Sequence, residues 1–85
     1  MSIESTIRDF IVNEAGGEAY AAELTDDFPL LESQVLDSMG LYELVTDLEQ
    51  RYGIEISDEE LVPENFGTVA AIARLVEAKQ NAAHS

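Results

Sequence analysis

The 85-residue chain has no cysteine and no tryptophan, and only one histidine, two prolines and four basic residues. Without cysteine there is no disulfide, no thiolate metal ligand and no cysteine nucleophile. A disulfide-free domain this small suits a reducing compartment, so a cytoplasmic protein is expected. The one histidine, His84, is the penultimate residue, in a tail expected to fray, where it makes a poor general base. No apolar run approaches the length of a membrane span. The opening Met1-Ser2-Ile3-Glu4 has neither the basic start nor the apolar run of a signal peptide. Gly16-Gly17 lacks the lysine and hydroxyl residue that complete a phosphate-binding loop, and no calcium-loop pattern occurs. Asp58-Glu59-Glu60 reads as the acidic start of a helical turn rather than as a metal site. No spacing sets two carboxylates across a cleft. The chain is not read as an enzyme.

The shortage of basic residues leaves four Lys and Arg against 18 Asp and Glu, a formal net charge of −14. Such a field repels nucleic acid and anionic lipid, so neither is an expected partner, and it favours proteins with basic patches. Hydrophobic residues still make up 46% of the chain, enough for a core. The length allows one domain over 1–85, with a folded core of about 3–79 and a frayed tail over 80–85; a monomer is expected.

Periodicity predicts an all-α fold: a small four-helix bundle of three longer helices and one short one, with a long first loop. Ile3, Ile7, Phe10 and Ile11 lie on one face of a helix over roughly 3–14, capped by Ser2 and stopped by Gly16-Gly17. Residues 16–37 form a connection long enough to need pins of its own, for which Leu24, Phe28, Leu30, Leu31, Val35 and Leu36 serve. Ala19–Leu24 is a candidate helical turn, and Phe28-Pro29 argues for extended backbone. Ser38–Tyr52 is the second long helix, with Leu41, Leu44, Val45, Leu48 and Tyr52 as its buried stripe and Gly53 as its stop. Ile54 and Ile56 are two anchors of a loop. Ser57 to Glu60 has the capping-box spacing, opening a short turn that ends or breaks near Pro63. Thr68 then caps a last helix that buries Val69, Ile72, Ala73, Leu75 and Val76.

Ser38 sits where the long loop meets the most strongly patterned helix. It serves there as an ordinary N-cap, or as an exposed hydroxyl whose phosphodiester would face unpaired amides and the positive end of the helix dipole. The residues around it decide. Leu36-Asp37-Ser38-Met39 resembles the phosphopantetheine attachment motif of the acyl and peptidyl carrier proteins, Asp-Ser-Leu/Met. Pro29-Leu30-Leu31-Glu32 resembles the family's approach to that motif, and Leu41–Ile56 its second helix and exit. Ser57–Leu61 and Thr68-Val69 resemble the starts of its last two helices, so the likeness spans residues 3–79.

That resemblance implies 4′-phosphopantetheine, donated by coenzyme A and attached to Ser38 by a phosphopantetheinyl transferase, with Asp37 and Met39 beside it. The group supplies a thiol that the chain lacks, and an acyl or aminoacyl cargo rides on it as a thioester. It also implies an acyl- or aminoacyl-loading ligase, and a downstream synthase or transferase whose basic patches meet Glu43, Glu49, Gln50, Asp58 and Glu59. Tyr42, one turn beyond Ser38, is expected at the entrance of the cargo cleft used by long-chain carriers, where a ring narrows the opening. The sequence departs from the fatty-acid carriers at Val35-Leu36, usually glycine-alanine, at Gly40, commonly acidic, and at Tyr42, commonly a smaller aliphatic residue. Leu-Asp-Ser-Met-Gly is closer to D-alanine carriers and to stand-alone carriers of polyketide or nonribosomal pathways. A specialised pathway is expected. A D-alanine or fatty-acid carrier, and an unmodified acidic interaction module, are the alternatives.

Overall fold

A computed structural model describes residues 2–13, 24–33 and 36–83. The chain order is α1 (Ile3–Asn13), α2 (Ser38–Tyr52), a 3₁₀ turn (Asp58–Glu60), α3 (Pro63–Phe66) and α4 (Val69–Ala83), with no strand among the described residues. The all-α bundle is what periodicity predicts. Gly16-Gly17, Ala19 and Val35 lie outside the described residues.

The capping expectations at both chain ends are met. Ser2 Oγ accepts from the Ser5 N–H at 3.0 Å, and Thr68 Oγ1 from the Ala71 N–H at 3.1 Å. Gly53 closes α2 at φ 64°, a left-handed conformation that costs a side-chain-bearing residue about 1–2 kcal/mol. Its N–H and that of Ile54 both turn back to the Glu49 carbonyl.

One expectation is corrected. Asp37, not Ser38, is the N-cap of α2: its Oδ1 accepts the Gly40 N–H at 2.7 Å. A carboxylate reaches the third amide of a helix as well as a hydroxyl does and adds charge at the dipole's positive end. The turn opened by Ser57 ends before Pro63, as expected, and Pro63 then begins a helix of its own, because the first helical position needs no N–H and its fixed φ is already helical. The short third element is therefore a 3₁₀ turn followed by a separate four-residue helix. The last helix extends through Ala83, along a run of good helix formers.

α4 is the hub, against which α1, α2 and α3 all pack, and α1 also meets α2. Ile7, Ile11, Leu44, Leu48, Phe66, Val69, Ile72 and Val76 are fully enclosed. The long loop is pinned by Leu24, Leu30 and Leu36, all buried, with Phe28 and Leu31 half-buried against the same core. Backbone bonds tie it to the far end of the chain: Leu30 N–H to the Gly67 carbonyl at 2.8 Å, and Ala70 N–H to the Asp26 carbonyl at 3.0 Å. Arg8 of α1 adds an ion pair with Asp26. A Cβ at Gly67 would stand 2.5 Å from the Pro63 carbonyl oxygen, so the turn from α3 into α4 requires glycine. Leu36 accordingly arrives buried, and the next two residues, Asp37 and Ser38, emerge exposed at the start of α2.

Candidate functional site

Ser38 is the first residue of α2 and is exposed. Asp37 takes the cap, and the exposed serine hydroxyl makes no hydrogen bond to a described residue. The Gly40 N–H is consumed by the cap, whereas the Ser38 and Met39 amides have no partner among the described residues. Amides at this place of a helix are the donors its N-terminus leaves for an anion, close to where a phosphodiester on Ser38 would sit. An anionic group linked through Ser38 therefore fits the residues present.

Met39, at 73% exposure, and Tyr42, at 69%, are the two large apolar side chains left exposed among the described residues. Together with Ser38 and Glu43 they line a shallow groove of about 450 Å³. Tyr42, expected beside a cargo entrance, thus stands mostly in solvent, and Gly40 is buried.

The structure separates the expected docking residues. Glu43, Gln50, Asp58 and Glu59 are exposed. Glu49 is half-buried, and its Oε2 accepts the Ile56 N–H at 2.9 Å, holding the exit of α2 in place. Its position off the apolar stripe hid this role, since its partner lies beyond the end of α2, where helical spacing no longer applies. Asp47 is paired with Arg51 one turn on, through Nε at 3.1 Å.

Glu60 carries a structural task that its place in a capping box shows only in part. Its Oε1 accepts the Ser57 N–H at 3.0 Å, as the capping box predicts, and also the Lys79 ammonium at 2.6 Å. The bond from Lys79, then that from the Ser57 backbone, holds the Glu60 carboxyl below its usual range. The 3₁₀ turn is thereby fastened to α4. No cluster of metal-ligating side chains occurs among the described residues, and none of their helices is long and apolar enough to cross a membrane.

Comparison with known proteins agrees with this geometry. The family model described as "Phosphopantetheine attachment site" matches residues 11–76. An "Acyl carrier protein" of Solidesulfovibrio magneticus is 35% identical over 60 residues, 71% of this chain and 74% of that protein. That of Akkermansia muciniphila is 34% identical over 79 residues, 93% of this chain and 94% of its own. Among solved structures, a chain of the "Crystal structure of FAD-dependent dehydrogenase" superposes with a TM-score of 0.73 at 37% identity, covering 82% of this chain and 97% of that one. The family model over residues 11–76, with relatives at 34–35% identity, places this helical bundle in the phosphopantetheine-attachment family: it is an acyl carrier protein, a carrier rather than a catalyst, and its prosthetic group is covalent 4′-phosphopantetheine.

Proposed function

We propose that Ser38 bears the phosphopantetheine arm, and that the carrier serves a specialised cytoplasmic pathway in which a flavoenzyme oxidises its cargo. The family implies a phosphopantetheinyl transferase and acyl-handling enzymes as partners. In the attachment step the Ser38 hydroxyl oxygen bonds to the phosphorus of coenzyme A next to the pantetheine. Adenosine 3′,5′-bisphosphate leaves, and the hydroxyl proton passes to a base of the transferase. The amides of Ser38 and Met39 would hold the phosphodiester. When bound, the group supplies the thiol for thioester chemistry.

The likeness to a chain of the dehydrogenase structure carries the pathway reading. About 70 residues of this chain account for 97% of that one, which is too short to hold a dinucleotide-binding domain and a catalytic core of its own. It is best read as the dehydrogenase's carrier, and at 37% identity over most of its length it is a close structural relative of this chain. The expected reaction is desaturation beside the thioester carbonyl. The partner would supply a base for the α-proton and a flavin as acceptor of the hydride from the β-carbon, and the carrier would keep the carbon–carbon double bond. A cargo handled this way is short and stays outside a bundle whose centre is filled by Phe66, Leu44, Leu48 and Ile72. Glu43, Gln50, Asp58 and Glu59 form the exposed acidic and polar edge that meets basic patches of these partners, with Glu49 behind them.

The test is intact mass. The chain incubated with coenzyme A and a promiscuous transferase should gain one phosphopantetheinyl group, and Ser38→Ala should gain none. Loading the holo carrier with short saturated acyl and aminoacyl groups, then adding a flavin-dependent acyl dehydrogenase, should remove two hydrogens from at least one cargo. A carrier that is modified but whose cargoes all keep their mass would retain the attachment site and lose the dehydrogenase.

A further inference from the structure

Single exposed apolar side chains are ordinary on protein surfaces. Here the two large ones among the described residues, Met39 and Tyr42, both stand within about one helical turn of Ser38. The groove that they form with Ser38 and Glu43 does not stop at Tyr42. A second depression of about 430 Å³ is lined by Phe10, Tyr42, Glu43, Thr46, Asp47 and Gln50. The two share Tyr42 and Glu43 and so adjoin, and together they are taken as one track. It begins at the serine, passes the tyrosine ring and runs between α2 and Phe10 of α1. Along the helix axis, Thr46 lies about 12 Å and Gln50 about 18 Å beyond Ser38.

We propose that the phosphopantetheine arm lies in this track, over Tyr42 and against Phe10, holding its thiol or short thioester on the α1 side of α2. The proposal rests on Ser38 as the attachment residue. The arm alternates short methylene runs with two amides, so it needs apolar surface interrupted by hydrogen-bonding groups. Tyr42 and Phe10 supply the surface. The Gln50 amide and the Thr46 hydroxyl supply the polar contacts; the hydroxyl donates to the Tyr42 carbonyl at 3.0 Å and keeps its lone pairs to accept. Asp47 is turned to Arg51 by two hydrogen bonds, which leaves Glu43 as the unpaired carboxylate of the track. The arm beyond its phosphodiester is neutral and meets no charge repulsion there. A larger depression of about 700 Å³, lined by Glu49, Ile54–Ser57, Glu60 and Lys79, lies at the other end of α2. Ser38 is not part of it, and its polar groups already serve the Glu49–Ile56 and Glu60–Lys79 bonds.

A nitroxide maleimide coupled to the thiol of the ¹⁵N-labelled holo protein reports where the arm rests. Amide signals of Phe10, Tyr42, Thr46 and Gln50 should lose most of their intensity, while those of Ile56, Ser57 and Lys79 keep theirs. Tyr42→Ala, a change at an exposed position, should even out the difference. Equal losses on both sides, strongest losses around Ile56 and Lys79, or the same asymmetry in Tyr42→Ala would overturn the proposal. A chain that gains no mass with the transferase, or a Ser38→Ala variant that still gains it, would sink the attachment reading and this proposal together, before any spectrum is recorded.

Discussion

At Asp37 and Ser38, two tasks that one serine would otherwise combine are divided. Asp37 satisfies the third amide of α2 through Gly40, and Ser38 keeps its hydroxyl in solvent. Substituting them should therefore have opposite consequences. Ser38→Ala should lose modification and stay within about 0.5 kcal/mol of the wild type in urea unfolding. Asp37→Ala should lose about 1 kcal/mol through its cap. Equal destabilisation by the two would mean that the serine shares the capping. Glu60 gives the second prediction at this scale. Its carboxyl is held low by Lys79 and by the Ser57 amide, so its stabilising contribution is full above the ordinary glutamate value of about 4.3. That contribution is lost as pH falls through the depressed folded value. Carbon-detected titration of Glu60 should show the depression, and Lys79→Met should move it upward part of the way, since the Ser57 bond remains. An unmoved midpoint would show that Lys79 does not hold the carboxylate in solution.

Among the elements, α3 depends most on its surroundings. Four residues cannot persist as an isolated helix. Phe66 is wholly enclosed against the core, the Asn65 side chain donates to the Glu60 carbonyl at 2.9 Å, and the loop backbone at Leu30 donates to Gly67. Phe66→Ala should cost about 3–5 kcal/mol, a large part of the stability of a small domain. Phe66→Leu, which keeps most of the volume, should cost clearly less. Near-equal urea midpoints for the two would argue that α3 is not fixed by its aromatic anchor. On α2, exposed Glu43 is the informative docking variant. Glu43→Lys should slow modification at low salt and approach the wild-type rate at high salt, because rim charges act mainly on encounter. Wild-type rates at both salt levels would move docking towards Asp58 and Glu59. Glu49→Lys tests less, since it also removes the acceptor of the Ile56 amide.

For the whole molecule, charge is the dominant long-range term. Among the described residues, three of the four basic side chains are in ion pairs, Arg8–Asp26, Arg51–Asp47 and Lys79–Glu60, all partly open to solvent. Such pairs contribute only about 0–1 kcal/mol each. The net charge of −14 remains, and its self-repulsion opposes compaction. Added sodium chloride should raise the melting temperature, with most of the gain below about 0.1 M, where the screening length falls to about 10 Å. A melting temperature that is flat or falls over that range would show that the repulsion is unimportant.

The elements whose stabilisation is local were legible in the sequence. Apolar stripes at helical spacing placed α1, α2 and α4 to within a residue or so at most ends. Ser2, Thr68, Gly53 and the Ser57–Glu60 box announced their own ends, because a cap bonds to a backbone at most a few residues away. The family was legible for a similar reason, since the residues that resemble it lie in short contiguous segments. The rest was decided in three dimensions. Asp37 and Ser38 are both acceptable caps by composition, and only the direction in which the loop delivers them assigns the role. Pro63 ends one turn and starts another equally well until Phe66 has a core to enter. Glu49, Glu60 and Asp26 look like three more surface acids among 18, yet bonds to Ile56, Lys79, Arg8 and Ala70 make them fasteners of the exit loop, the 3₁₀ turn and the long loop. The exposure of Tyr42 likewise depends on where α1 and α2 meet. Partners distant in sequence leave no period to read, so only the packed bundle brings them together.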